Sequence, residues 1–183
     1  MDTQVSLEGM AEIQAMFAQA PAITAKHLRI ATHKSTALLL REVVEATPTG
    51  AHQLLRKSIF QDVQVSESGF LGVVGTASPY AIPVELGTKP HFPPIEPLID
   101  WVKAKLPIGQ VMSISTHRRM NARSLDATAR SVAYAVALKI SKKGTEGAFM
   151  FRDTMNRQQA TVNGYFLQAR QDIVAEMIAT GRA

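Results

Sequence analysis

Prolines cluster in one short stretch of this chain of 183 residues, where six of the nine lie between Pro79 and Pro97. Proline fixes φ and removes a backbone donor, so the stretch predicts a stiff, extended and loop-like segment. Such a segment holds at most a short edge strand, which we place around Tyr80–Leu86. Stiff extended segments are suited to reach out from a domain and are poorly suited to form its core. We therefore expect a proline-rich arm at 79–97, and a core supplied by the rest of the chain.

Apolar spacing predicts helices on both sides of this arm. The pattern from Leu7 to Phe17 indicates a first helix, and Pro21 suits the first turn of a second one that runs to about Ala46. A helix follows the arm over about Ile95–Leu106, and Pro107–His117 is predicted to be a loop or an insertion. Two further helices follow, one with the apolar stripe Leu125, Ala129, Val132, Val136 and Ile140 that ends at Gly144, and one over about 153–179.

Two strands are predicted between the N-terminal helices and the arm. Apolar residues occupy odd positions between Leu55 and Val65, with polar residues between them, and this period of two is typical of a strand with one face on a core. A turn at 66–69 then leads into a β-rich return strand, Phe70–Thr76. The pair predicts a hairpin.

Length and composition favour one ordinary globular domain over residues 1–183. The chain has no cysteine, which excludes disulfides, thiolate metal sites and cysteine nucleophiles. The first residues lack the pattern of a signal peptide, and no apolar run reaches the length that spans a bilayer. We expect a soluble protein, made in a reducing cytoplasm, without membrane contact.

The net charge of +5 is unevenly distributed along the chain. Residues 117–152 contain eight basic and two acidic side chains, whereas residues 1–116 are close to neutral. Such a local excess is typical of a surface that faces nucleic acid, and equally of a solvated helix whose charge is compensated by a neighbouring subunit. If DNA is the partner, the candidate contacts are Arg118, Arg119, Arg123 and Arg130, and they would bind phosphates without sequence specificity.

Residues suited to catalysis or metal binding are scattered. The five histidines do not have the spacing of a helical zinc pair, so we interpret each as a surface or packing residue. Nucleotide-binding glycine loops and the serine-hydrolase elbow are missing from the sequence. Glu85 is the best single candidate for chemistry, because it is an acid in an apolar segment, but pairing with an arginine or capping of local backbone N–H groups explains it better. We expect no cofactor, no metal and no catalytic residue.

Four stretches together resemble the tail-completion (head–tail joining, neck) family of long-tailed bacteriophages, over about residues 22–180. They are Thr47-Pro48-Thr49-Gly50 with 55–59; Val74-Gly75-Thr76 with Pro79-Tyr80-Ala81; Val84-Glu85-Leu86-Gly87-Thr88 with the prolines up to Pro97-Leu98 and Trp101-Val102; and Lys143-Gly144-Thr145. One departure is clear. The family often has Thr-Gly before the first strand, where this chain has His52-Gln53.

The resemblance implies an α+β fold, with a small antiparallel sheet packed by a long N-terminal helix and by C-terminal helices. It implies structural roles for Tyr80, Glu85, Gly87, Thr88, Gly144 and Thr145. It further implies a homo-oligomeric ring of six subunits in the virion, between the head connector or stopper and the tail terminator or tail tube, with double-stranded DNA passing through. The arm is then suited to reach a neighbouring subunit, and the basic segment to line the channel.

Two other classes of function remain open from the residues alone. A small stand-alone protein that binds nucleic acid without specificity would account for the basic segment. An enzyme would use Glu85 or a histidine. Oligomeric state separates the first of these from a ring subunit, and the effect of Glu85→Gln on turnover tests the second.

Overall fold

The computed structural model describes residues 9–50, 52–67, 69–105 and 122–181. Most of this part of the chain is helical. The elements are α1 Met10–Ala46, α2 Leu54–Ser58, β1 Ile59–Ser66, β2 Gly69–Thr76, α3 Ala81–Leu86, β3 Gly87–Thr88, α4 Ile95–Lys105, α5 Ala122–Lys143, β4 Thr145–Glu146 and α6 Met150–Thr180. The predicted loop at 107–117 lies outside the described residues.

The α+β class is confirmed, with a long N-terminal helix, C-terminal helices and a small amount of antiparallel pairing. The hairpin is confirmed as β1 and β2, which form one two-stranded sheet. The predicted edge strand at Tyr80–Leu86 is wrong, because that segment is helix α3. A short strand does follow, as β3, but it pairs with β4 in a second sheet separate from the hairpin.

Proline positions explain why the arm contains helices. Pro83 and Pro97 are each the third residue of their helix, in α3 and α4. The first N–H groups of a helix have no partner within it, so a proline costs no hydrogen bond there. Within the arm, only residues 79–80 and 89–94 therefore lie outside helices and strands.

Two boundaries near the N-terminus also differ from the prediction. Pro21 lies inside α1 instead of starting a second helix, so α1 is one helix of 37 residues. Its ring leaves the carbonyl of Phe17 without the usual N–H donor. The first strand begins only at Ile59, because Leu54–Ser58 forms α2, where the Ser58 hydroxyl donates to the carbonyl of Leu55 at 2.8 Å.

The chain divides into two compact units, and residues 1–42, 60–75 and 154–183 form the first. In this unit the hairpin lies close against α1, because a methyl group at Gly72 would come within 2.6 Å of the Thr36 side chain and 2.9 Å of Thr32. An ion pair joins α1 to α6, with Lys26 Nζ 2.8 Å from a carboxylate oxygen of Glu176. On α6, Ala169 is buried.

Residues 43–59 and 76–153 form the second unit. Its core lies between α4 and α5, where Ile99 and Val102 pack against Ala129 and Ala133. The buried line of α5 is a row of alanines four residues apart, Ala129, Ala133 and Ala137. The predicted stripe shares Ala129 with this row, but Val132 is 39% exposed. Small side chains allow the two helices to approach closely. The single domain expected from length stays a prediction.

In the described ranges, no helix combines the length and the apolarity that crossing a bilayer requires.

Candidate functional site

Glu85 lies at the C-terminal end of α3, and its carboxylate caps the start of α6. Its two oxygens accept hydrogen bonds from the backbone N–H groups of Phe151 and Arg152, at 3.0 and 3.1 Å. These donors belong to the first turn of α6, where they have no partner within the helix. A negative charge at a helix N-terminus also interacts favourably with the helix dipole. Glu85 is therefore a cap supplied from a distant segment.

The chain before α6 in turn caps the end of α3. The N–H of Ala148 donates to the carbonyl of Val84 at 2.8 Å, and the N–H of Phe149 donates to the carbonyl of Glu85 at 3.1 Å. The last carbonyls of a helix lack partners, and these two donors supply them. Each helix end thus satisfies the other. We call residues 84–88 together with 144–152 the joint.

A short pairing of β3 with β4 completes the joint. Gly87 lies opposite Glu146 and Thr88 opposite Thr145, and the two threonine hydroxyls are 3.0 Å apart. Gly87 and Gly144 have φ of 78° and 71°, in the left-handed region that favours glycine. A methyl group on either glycine would also collide with the backbone of the opposite strand. Both positions therefore require glycine for two independent reasons.

The other motif stretches form a second set of caps in the same unit. Thr47 is fully buried at the end of α1, and its carbonyl accepts a hydrogen bond from Arg56 Nε at 2.7 Å. Another guanidinium nitrogen of Arg56 donates to the carbonyl of Glu45 at 3.2 Å. The Ser58 and Thr76 hydroxyls are 2.7 Å apart, which links the first stretch to the second.

Tyr80 stands apart from this network. It precedes α3, and its carbonyl accepts the N–H of Val84 at 3.1 Å, but its residue surface is 63% exposed. The departure at His52-Gln53 also has a structural counterpart. Gln53 has φ of 54°, in the left-handed region that a glycine adopts most readily.

The basic helix α5 carries five basic side chains and one acid. Arg123 and Arg130 are exposed on it, whereas Arg118 and Arg119 lie outside the described residues. The sequence allows Asp126 to pair with both described arginines. Instead its carboxylate contacts Lys103 Nζ of α4 at 2.7 Å. That hydrogen bond lowers the pKa of Asp126 below its ordinary value, and Arg130 contributes a smaller lowering.

An aromatic pair lies beside the basic residues of α5. The rings of Phe92 and Tyr134 meet edge to face, with centroids 6.1 Å apart and planes at 60°. Phe92 is 51% exposed and Tyr134 is 49% exposed. Sequence analysis missed this pair because its members are 42 positions apart in the chain. Only a predicted packing of the arm against α5 would have brought them together.

Two of the described histidines make hydrogen-bonding contacts. His27 Nε2 lies 2.7 Å from a carboxylate oxygen of Glu176, and His91 Nδ1 donates to the carbonyl of Lys89 at 2.9 Å. His33 and His52 are exposed, and His117 lies outside the described residues. In the part of the chain that the structure covers, no three His, Asp or Glu side chains are arranged to hold a metal ion.

Large apolar side chains are exposed in both units. In the first unit, Phe17 of α1 and Val65 of β1 line an open cleft of about 500 Å³ and are 62% and 73% exposed. In the second unit, Ile82 and Leu86 lie four residues apart on α3 and are 70% and 65% exposed. Contiguous apolar surface of this kind commonly marks a contact with another molecule.

Comparison with known proteins gives no relative: no protein-family model, no curated protein and no solved structure matches the chain.

Proposed function

We propose that this chain is a structural subunit of a long-tailed bacteriophage, which forms a homo-oligomeric ring at the head–tail junction with double-stranded DNA passing through it. The ring is six-fold and joins the head connector or stopper to the tail terminator or tail tube. The proposal rests on the resemblance of the four stretches to the tail-completion family.

One observation supports the proposal above the others: residues from the four stretches contact one another within the second unit in two sets, one around Arg56 and one in the joint. Arg56 caps α1, Glu85 caps α6, and Ala148 and Phe149 cap α3. Glycines in β3 and just before β4 allow these two strands of the joint to approach each other closely. Residues that are widely separated in sequence and that serve one architecture are expected when a motif specifies a fold instead of a reaction.

The exposed apolar side chains are consistent with a subunit that is buried on several sides. A closed ring uses two different surfaces of each subunit, because the contact is head-to-tail. The exposed apolar residues of α3, within the proline-rich segment, provide one candidate surface. The cleft between α1 and the hairpin provides another.

The basic side of α5 supports the DNA channel. Arg123 and Arg130 are seven residues apart and therefore lie on the same side of the helix. Both are exposed, and the only acid of α5 is held by Lys103. The same observation favours the second candidate, a stand-alone protein that binds nucleic acid without specificity. The two candidates differ in whether the chain assembles.

The test is the mass of the purified full chain in solution, measured by light scattering, together with negative-stain images. The proposal predicts closed rings with a mass of several times 19.9 kDa. A stable monomer that binds duplex DNA tightly at low salt would favour the second candidate instead.

The channel is tested with rings in which Arg118, Arg119, Arg123 and Arg130 are replaced by glutamine. We expect rings of unchanged mass with weaker and less salt-dependent duplex binding, because each lost phosphate contact removes about 0.9 from the slope of log K against log salt. Replacing Arg29 and Arg170, which are exposed on α1 and α6, is the control. Equal losses in the control and in an Arg123/Arg130 double variant would contradict a channel role for α5.

A further inference from the structure

One surface of the second unit combines two aromatic rings with a cation: it consists of Phe92, Tyr134 and Arg130. Contact with phosphates alone needs cations, whereas this surface also presents two half-exposed aromatic rings. We call these three residues, with Arg123, the aromatic–basic patch. All four lie in the second unit.

The two rings are available to a ligand from outside. They touch edge to face instead of stacking on each other, so the pair covers at most one face of one ring. Exposed aromatic faces bind unpaired bases by stacking, and they do so for every base. Bases within a duplex are already stacked on their neighbours and cannot use such faces.

The charge around the rings is complementary to a nucleic-acid backbone. Arg130 precedes Tyr134 by four residues, so it lies one turn away on the same side of α5, and Arg123 lies two turns before Arg130. Asp126, the acid closest to them in the helix, is bonded to Lys103 at 2.7 Å. The negative charge that would repel a phosphate is thus compensated by α4.

We infer that the aromatic–basic patch binds single-stranded nucleic acid, with unpaired bases stacking on Phe92 and Tyr134 and backbone phosphates contacting Arg130 and Arg123. The inference rests on the proposed DNA contact of α5 and adds unpaired nucleotides as a second ligand of the same side of the helix. The chemistry is shared by single-stranded DNA and RNA.

The experiment measures binding of the full chain to fluorescent oligothymidine and oligouridine of about 16 nucleotides, and to a duplex of equal length, at about 50 mM salt. The patch predicts that Tyr134→Ala weakens binding to the single strands about tenfold and leaves duplex binding within about twofold. Tyr134→Phe keeps the ring and retains single-strand binding. Arg130→Gln weakens binding to all three probes.

Two variants serve as controls. Lys139→Gln removes one charge from a different side of α5, and Phe60→Ala removes a half-exposed ring from the first unit. Neither should affect single-strand binding by more than about twofold. Binding of either single-stranded oligomer by the wild-type chain supports the patch. The relative affinity for oligothymidine and oligouridine identifies whether DNA, RNA or both are the ligand.

Three results would overturn the inference: no single-strand binding by the wild-type chain, equal effects of Tyr134→Ala on single strands and duplex, or unchanged binding in a folded Phe92→Ala/Tyr134→Ala variant. Light scattering of the same variants separates this failure from that of the proposed function. Rings that persist without single-strand binding reject the patch and leave the ring intact. Rings that dissociate in the double variant show that the aromatic pair is a subunit contact.

Discussion

At the scale of single residues, Glu85 shows how a short motif determines long-range structure. Its backbone carbonyl accepts from Phe149, and its side chain accepts from Phe151 and Arg152. One residue thus terminates α3 and starts α6, which is 65 positions further along the chain. An aspartate would be one methylene too short to keep both sets of bonds, and an alanine would keep only the backbone bond.

Replacing Glu85 by alanine should lower the free energy of unfolding by about 1 kcal/mol, as loss of a helix N-cap typically does. Glu85→Gln retains one acceptor oxygen but loses the charge, so its effect should be smaller. Urea unfolding followed by circular dichroism measures both. Glu146→Gln is the control, since Glu146 pairs with Gly87 through its backbone. Equal stability of the alanine variant and the wild type would contradict the capping role.

Gly144→Ala should be more destabilising, by about 2 kcal/mol or more. A left-handed φ costs a non-glycine residue about 1 kcal/mol, and the added methyl group also collides with the carbonyl of Thr88. Gly164→Ala in α6 is a matched control, because a methyl group there meets no other atom within 4 Å. That control should be stabilising by about 0.5–1 kcal/mol. Similar thermal unfolding of the two variants would disprove the steric account.

The contacts of Glu176 predict how the stability of the protein depends on pH. Hydrogen bonds from Lys26 and then from His27 hold the pKa of the Glu176 carboxyl below its ordinary value of 4.5. A lowered folded-state pKa contributes stability that is present above the unfolded value and is lost as the pH falls through the folded value. The urea midpoint of Glu176→Gln should therefore fall below that of the wild type at about pH 7, and the gap should close towards about pH 3.

Glu12→Gln, which changes an exposed acid on α1, the helix of Lys26 and His27, is the control for that titration. A gap between Glu176→Gln and the wild type that stays constant from about pH 7 to pH 3 would show that the ion pair with Lys26 does not provide the difference.

At this scale, an interaction was predictable from the sequence only when its partners lie close together along the chain. The helix end at Gly144 was predictable, because a glycine after two lysines is a local signal. The preference for a capping role at Glu85 came from its position as an acid in an apolar segment. The sequence contained no local signal that would identify its partners, Phe151 and Arg152. The resemblance placed Arg56 within a motif but did not predict that its side chain caps the end of α1. Contacts across many positions need the tertiary fold.

At the scale of elements, the proline-rich segment gives the main lesson. Proline content predicted a wholly extended arm, yet α3 and the start of α4 lie within it. Proline disfavours helix only where it removes a bond that would otherwise form, and Pro83 and Pro97 occupy first turns. Pro21 is the opposite case, since α1 continues through it despite that cost. Both errors concern the position of a proline relative to a helix start, which composition does not give.

The contact of α4 with α5 is predicted to depend on small side chains. Ala133 is fully buried against Ile99 and Val102. Ala133→Leu adds three carbons to this core and should cost about 1–3 kcal/mol of unfolding free energy. Ala135→Leu, on an exposed side of the same helix, is the matched control and should change stability by about 0.5 kcal/mol or less. Denaturant midpoints that shift equally in both variants would contradict the packing described for α5.

At the scale of the whole molecule, the fold class was predictable because it depends on periodicities that extend over many residues. The hairpin and the C-terminal helices follow from such patterns, whereas the pattern at the N-terminus predicted two helices where α1 is one. The pairing of β3 with β4 was not predictable, since each strand has two residues and the partners are 57 positions apart. The resemblance to the tail-completion family pointed to the same residues, Gly87, Thr88, Gly144 and Thr145, without indicating that they meet.

Assembly is the property on which the proposed function depends at this scale. The exposed apolar residues of α3 and of the cleft beside α1 are then contacts between neighbours, and α5 faces the channel. The most direct test of the proposal is cryo-electron microscopy of long-tailed phage particles assembled in cells that make this chain. We predict that the chain occupies a closed ring between the connector and the tail tube, with Arg123 and Arg130 directed towards the DNA. Density for the chain elsewhere in the particle, or particles that lack it altogether, would contradict the account.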